Sequence, residues 1–198
     1  VSKLFKEEFA GQLSQEGNQY LGFISSLTQR MHQLVKGLLD YSRIGKEGML
    51  QVVNTQQLLA EVLADMAFSI EQSHAKVTVD TLPELKAYMP ELKQVFQNLI
   101  SNAIKFRKEA TTPQILISDE REDKYWLFSI SDNGIGIEED DKEKIFVIFK
   151  RLHNRKEYEG TGIGLAHCHK IINLHGGEIW VDSKPGQGST FYFSIPQL

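Results

Sequence analysis

The chain has 198 residues, 41% of them hydrophobic, which suffices for one well-packed domain of ordinary size plus a smaller appendage. A formal net charge of −4 lacks the excess of Lys and Arg that nucleic acid or an anionic membrane surface selects, so no nucleic-acid partner is expected. The one cysteine, Cys168, cannot form a disulfide within the chain, no Cys/His cluster has zinc spacing, and no apolar run is long enough to span a bilayer, so a reducing, cytoplasmic setting is expected.

The opening residues, Val1 to Glu8, carry neither an initiator Met nor a signal-peptide core, and the natural N-terminus is expected upstream. Lys3 to Phe9 reads as the last turns of a helix, and Ala10 to Gly17 as a loop in which Ser14 can cap the next helix. From there Tyr20, Ile24, Leu27, Met31, Leu34, Leu38 and Tyr41 alternate by four and three, a heptad seam that favours packing in a left-handed helical bundle. Residues 1–45 are therefore expected to form a partial helical hairpin that pairs with a second copy in a four-helix bundle; the alternative is an ordinary amphipathic helix lying on the domain. The seam stops at Ser42 to Gly48, where two glycines and three charges mark a linker.

Residues 50–198 read as a second domain. Thr55 can cap a helix running to about Ser73, and Val77 to Val79 with Lys86 to Tyr88 give two short strands around Leu82-Pro83. A helix from about Pro90 to Phe106 places Leu92, Val95, Phe96, Leu99, Ile100 and Ala103 on its apolar stripe. Gln114 to Glu122 and Tyr125 to Ser131 form a hairpin, and Glu178 to Asp182 pairs with Thr190 to Ile195, whose Phe191, Phe193 and Ile195 share one face. Segregated helices and antiparallel hairpins predict an α+β, two-layer sandwich with a mixed sheet covered on one face.

Four segments carry chemistry. Asn98, Asn102 and Lys105 share a helix face; either the carboxamides ligate a hard cation and the ammonium faces phosphate, or the asparagines bind neighbouring backbone. Asp132, Gly134 and Gly136 follow a strand, where glycines allow close backbone approach and the carboxylate can accept from an exocyclic amine, although Asp-Asn-Gly turns are common. Gly160, Thr161, Gly162, Ile163, Gly164 and Leu165 form a glycine loop opening a helix, whose free N–H groups and dipole suit anions. Gly186, Gly188, Ser189, Thr190 and Phe191 would alone be an ordinary turn between strands.

The ordered set, with Phe146 and Phe149 between the second and third segments, resembles the N, first glycine, F, second glycine and third glycine boxes of sensor histidine kinases, closest to their phytochrome-like branch. The resemblance covers essentially all of residues 50–198, and Leu38 to Gly45 looks like the end of that family's second dimerisation helix. It implies the ATP-binding sandwich shared with gyrase-type ATPases, ATP and Mg²⁺ as cofactors, and phosphoryl transfer to a histidine. Residue by residue it assigns Asn102 to the metal, Lys105 to the phosphates and Asp132 to the adenine amine. Asn98 joins the nucleotide-binding set, Gly134, Gly136 and Ile137 shape the adenine pocket, and Thr190 bonds beside Asp132.

The same resemblance has Phe146 and Phe149 anchor a lid of about residues 150–161, which Gly160, Gly162 and Gly164 hinge while cradling phosphate; Thr161, Ile163 and Leu165 join the nucleotide-binding set. Among the basic residues there, Lys150, Arg151, Arg155 and Lys156, Arg155 is chosen as the catalytic cation. It also implies a response-regulator partner, an upstream sensor domain and an acceptor histidine upstream of Val1. His32 is followed by Gln33 rather than a carboxylate; His153 lies in the lid; His167, His169 and His175 read as surface, packing or helix-closing residues.

The order of segments excludes a Ser/Thr protein kinase, whose glycine loop comes first, and no P-loop sequence occurs. A gyrase-like ATPase and a non-catalytic nucleotide-binding or dimerisation module stay open. Asn98 disfavours hydrolysis, because gyrase-like relatives carry there a Glu that activates water and an amide is not a base.

Overall fold

A computed structural model describes residues 13–46, 48–152, 158 and 161–197. The chain forms two compact units, one ending at Ser42 and the other beginning at Arg43. The first is a single helix in its described part, α1 (Gln15–Arg43), none of whose residues is buried. Ser14 caps it, its Oγ accepting the Gly17 N–H at 3.1 Å. Tyr20, Ile24, Leu27, Met31 and Leu38 of the heptad seam are all exposed. The expected first arm, Lys3 to Phe9, lies outside the described residues.

The second unit starts with β1 (Leu50–Asn54), a strand that the sequence pattern does not predict, followed by α2 (Thr55–Asp65) and α3 (Ala67–Ser73). Two details differ from expectation. The cap of α2 is Asn54, whose side chain accepts the Gln57 N–H at 2.9 Å, while Thr55 is buried and spends its hydroxyl on the Pro83 carbonyl. The single helix expected to reach Ser73 breaks at Met66, which leaves helical geometry at φ −98°, ψ 4° and donates its N–H to the Val62 and Ala64 carbonyls.

The strands expected around Leu82-Pro83 do not pair with each other. β2 (Lys76–Val79) runs parallel to β4 (Gln114–Arg121), whereas β3 (Glu84–Tyr88) pairs antiparallel with β1 in a separate two-stranded sheet. After β3 come α4 (Met89–Lys105), β4, β5 (Tyr125–Asp132), two short 3₁₀ turns at Glu139–Asp141 and Lys144–Phe146, α5 (Gly164–Leu174), β6 (Ile179–Lys184) and β7 (Gly188–Pro196). The main sheet has the order β2-β4-β5-β7-β6, antiparallel except for the β2–β4 pair. It is the mixed sheet of the expected sandwich.

Strand alternation decides what each face does. Ile115, Ile117, Phe128, Ile130, Val181, Phe191, Phe193 and Ile195 point into the core, where Leu92, Val95, Phe96 and Leu99 of α4 and Ile171 and Ile172 of α5 meet them. Phe128 and Phe193 stack with centroids 4.9 Å apart, and Phe96 meets both edge-on at 5.9 and 5.7 Å. The opposite face carries Ser118 bonded to Ser129, Thr190 bonded to Ser131, and Trp180 stacked on Tyr192.

Candidate functional site

The site lies at the end of the sandwich where α4, the loop after β5 and the start of α5 converge on a cavity of about 300 Å³. The apolar stripe of α4 is fully committed to the core, so its other face must look elsewhere, and Ser101, Asn102 and Lys105 line the cavity. The Lys105 ammonium sits 4.3 Å from the centroid of the Phe106 ring.

Asp132 is the last residue of β5 and the one carboxylate among the described lining residues. Its Oδ1 accepts the Gly134 N–H at 2.8 Å. Burial pushes its carboxyl above the ordinary aspartate range, while the Gly134 and Ser189 N–H groups and the charge of Lys108 oppose that shift. The loop that follows is held against both neighbours: Ile135 donates its N–H to the Phe106 carbonyl at 3.0 Å, and its own carbonyl accepts from Gly186 at 2.7 Å. Gly136 lines the cavity at φ +74°, where a Cβ would collide with the Lys184 carbonyl, so only glycine fits.

The cavity is closed on its other side by the start of α5. Thr161, Gly162, Gly164 and Leu165 line it, and the unpaired N–H groups of a helix N-terminus lie in that first turn. Phe149 and Gly162 are joined by a backbone bond of 2.9 Å from the Phe149 N–H, which brings the two ends of the intervening loop together. Gly162 manages this at φ +75°, with a Cβ position only 2.8 Å from the Lys150 carbonyl. Lys150 and Arg151 add cationic side chains to the lining, and Arg151 donates to the Tyr158 carbonyl at 2.7 Å.

Residues 88–198 match the family of histidine kinase-, DNA gyrase B-, and HSP90-like ATPases. The chain belongs to this family. Among curated relatives, Cyanobacterial phytochrome A of Nostoc sp. is 44% identical over 195 residues, an alignment covering 98% of this chain and 25% of that protein. Of solved structures, full-length ShkA in complex with AMPPNP superposes with a TM-score of 0.71 at 26% identity, covering 93% of this chain and 39% of that one. Histidine kinase ThkA in complex with response regulator protein TrrA gives 0.69 at 28% identity, covering 100% and 57%. The chain thus spans about a quarter of the length of the curated relative it matches.

Not every residue marked from the sequence reaches the cavity. Asn98 does not line it; its Nδ2 donates to the Gly164 carbonyl at 3.2 Å and its amide also contacts Cys168, whose thiol burial pushes up to about 12. Ile163 is buried, and Gly134 contributes its N–H to Asp132 without lining the space. Thr190 is corrected outright. It points to the opposite sheet face, where its hydroxyl donates to Ser131 at 3.0 Å, and the residue opposite Asp132 in the strand register is Ser189. The signal was available: with Phe191, Phe193 and Ile195 assigned to the inner face, period two puts Ser189 with them and Thr190 away.

Sequence patterns also did not single out Phe106 or Tyr158, both of which line the cavity with ring centroids 5.1 Å apart. The Tyr158 hydroxyl donates to the Arg107 carbonyl at 3.3 Å. Of the expected lid anchors, Phe146 packs on the core, 6.0 Å from the His169 ring, whereas Phe149 is 47% exposed and sits at φ +66°. Arg155, Lys156, His153 and Gly160 lie outside the described residues. His167 and His175 are buried, and His32 is exposed on α1.

ATP and Mg²⁺ can be tested against this lining. Three cationic side chains, Lys105, Lys150 and Arg151, share it with a helix N-terminus, which suits a polyphosphate, and one desolvated carboxylate suits an amine on a base. Among the described residues no group of three or more His, Cys, Asp and Glu could hold a metal alone, so a cation here would take Asn102 together with phosphate oxygens and water, a donor set that fits Mg²⁺.

Proposed function

We propose that residues 43–198 are the ATP-binding catalytic unit of a two-component sensor histidine kinase of the phytochrome-like branch. It transfers the γ-phosphoryl group of ATP to a histidine of a dimerisation helix, for relay to an aspartate of a response-regulator receiver domain. The observation that carries the reading is the opposed chemistry of one cavity: the half-buried Asp132 carboxylate, and Lys105 with the α5 N-terminus.

Asp132 and the wall of Gly136 and Ile137 hold the base, and Phe106 with Tyr158 gives an apolar side to the space. Lys105 and the first N–H groups of α5 neutralise the phosphates and aim the γ-phosphoryl group outward. Asn102 would hold Mg²⁺, which when bound offsets the charge that builds on the phosphate oxygens. Arg155 is the proposed cation for the transferred group. The attacking imidazole nitrogen forms the new N–P bond as the bond from the γ-phosphorus to the bridging oxygen breaks and ADP leaves. Asn98 supplies no base for a water, which favours transfer over hydrolysis.

On this reading the acceptor histidine, a sensor domain and the rest of the first arm of the dimerisation hairpin belong to a longer protein, and α1 contributes its exposed heptad seam to a homodimeric bundle. A cytoplasmic location accords with the same reading; among the described residues no helix is long and apolar enough to cross a membrane. Incubation with γ-labelled ATP and Mg²⁺, with and without a dimerisation segment bearing a histidine followed by a carboxylate, tests the proposal. Acid-labile, alkali-stable label on that segment is expected. Steady phosphate release would indicate a gyrase-like ATPase, binding without either a nucleotide-binding module, and stable label on His32 a self-sufficient kinase.

A further inference from the structure

Ser183 lies on β6, outside every segment that carried chemistry in the sequence, and it is 5% exposed. A buried hydroxyl must place one proton and two lone pairs, and here all three are accounted for. Its Oγ donates to the Gly188 carbonyl at 2.8 Å and accepts the Ile137 N–H at 2.9 Å. The Ser189 Oγ lies 2.9 Å away. A carbonyl only accepts, so the Ser183 proton belongs to Gly188; its remaining lone pair then requires Ser189 to be the donor of the bond between the two hydroxyls. In that arrangement every member is satisfied.

The consequence falls on the cavity wall. Ser189 shares the inner face with Phe191, stands opposite Asp132 in the register and lines the cavity, as Asp132 does. With its one proton turned back to Ser183, Ser189 can offer a ligand only lone pairs. Asp132 has already taken N–H bonds from Gly134 and Ser189, and as a carboxylate it too can only accept. Two neighbouring groups at this wall are therefore both acceptors, which matches a group with two hydrogens, such as an amine, and opposes a carbonyl oxygen.

We propose that Ser183, without touching the ligand, is a specificity-determining residue: by fixing the direction of the Ser189 hydroxyl it makes the site select a 6-aminopurine over a 6-oxopurine nucleotide. The inference rests on nucleotide binding in this cavity. Removing the Ser183 hydroxyl frees the Ser189 proton to turn toward the ligand and donate to an oxo group.

ADP and inosine diphosphate, which differ at the 6-position and in the N1 proton that goes with it, are the probes. Calorimetry with Mg²⁺ should show the wild-type chain preferring ADP, and Ser183→Ala should narrow the ratio of the two dissociation constants by about 5–10-fold, the worth of one hydrogen bond. Ser183→Thr, which keeps the hydroxyl, should retain the wild-type ratio. Should the alanine variant not fold, Ser183→Cys, close in shape and a poor acceptor for the Ser189 proton, gives the same readout. A ratio that stays within about twofold in a folded Ser183→Ala or Ser183→Cys protein, on a scale where one hydrogen bond is worth more, overturns the inference. So does equal wild-type affinity for both nucleotides, which would leave the functional reading standing; binding of neither removes that reading and this inference with it.

Discussion

The backbone N–H of Tyr88 donates to Nε2 of His175 at 3.0 Å, and the opposite ring nitrogen, Nδ1, bonds the Ile171 carbonyl at 2.8 Å. An acceptor at Nε2 means a neutral ring, and burial depresses its pKa below the ordinary histidine value, against smaller upward pulls from the Ile171 carbonyl and the Glu91 charge. Because the unfolded chain binds the proton more readily, this contribution to stability is complete above the unfolded value of about 6.5 and is lost as pH falls through the folded pKa. Urea melts should therefore show stability dropping on acidification below about pH 6.5, less steeply in His175→Gln. Parallel pH profiles for the two proteins would assign the acid sensitivity elsewhere.

Asp132→Asn should weaken ADP binding by about 1.5–3 kcal/mol, since the amide replaces a charged acceptor with a partial donor. Its raised pKa gives two opposite pH effects. Nucleotide affinity should fall on acidification as the carboxyl takes up a proton, whereas the stability contribution of this group is present below the unfolded value of about 3.8 and is lost as pH rises through the folded pKa. Calorimetry at two pH values on wild type and variant separates them; unchanged affinity in the variant would remove Asp132 from the site.

Two asparagines one turn apart on α4 should behave differently. Asn102 lines the cavity, and Asn102→Ala should lose phosphotransfer far more completely than nucleotide binding, because the metal contributes mainly as charge redistributes at the γ-phosphate. Asn98 instead ties α4 to the Gly164 carbonyl, and Asn98→Ala should cost about 1 kcal/mol of nucleotide affinity while transfer at saturating ATP survives. Matching losses of transfer in the two variants, measured by single turnover, would put both in the chemical step.

Phe193→Ala removes a ring that is fully buried, stacked on Phe128 and met edge-on by Phe96. The expected cost is about 3–5 kcal/mol in denaturant unfolding, as for other buried aromatics. A loss below about 1 kcal/mol, far short of the usual truncation cost, would show that the core refills the space.

Met31 is 64% exposed at the middle of the heptad seam, so Met31→Glu should leave nucleotide affinity intact and convert dimer to monomer in sedimentation. A wild-type chain that sediments as a monomer at its highest attainable concentration would take the pairing role from α1.

The sheet's two hairpins, the apolar stripe of α4 and the ordered glycine segments could be read from the sequence because each rests on local periodicity or on residue types with few alternative uses. β1 could not: Leu50 to Asn54 exposes all but Val53, so its pattern carries no inner face, and only pairing with β3 makes it a strand. The pairing of β2 with β4 was equally hidden, since a parallel neighbour arises from a crossover that no turn residue announces. In the site, Asp132, Lys105 and Asn102 were legible from their segments. Ser189 was lost by one position, and Tyr158 and Ser183 carried no local sign because what makes them matter is contact with Phe106 and with Ile137 and Gly188.

The order β2-β4-β5-β7-β6 places the strand that comes last in sequence among the described ones in the interior of the sheet, between β5 and β6. During synthesis the ribosome therefore releases β4 and β5 as a hairpin that lacks its neighbour on one side, and Asp132 at the end of β5 has no Ser189 beside it until β7 emerges. Folding of this unit should therefore wait in its decisive step for β7, with the open flank of β5 a point at which a nascent chain needs shielding from other extended segments.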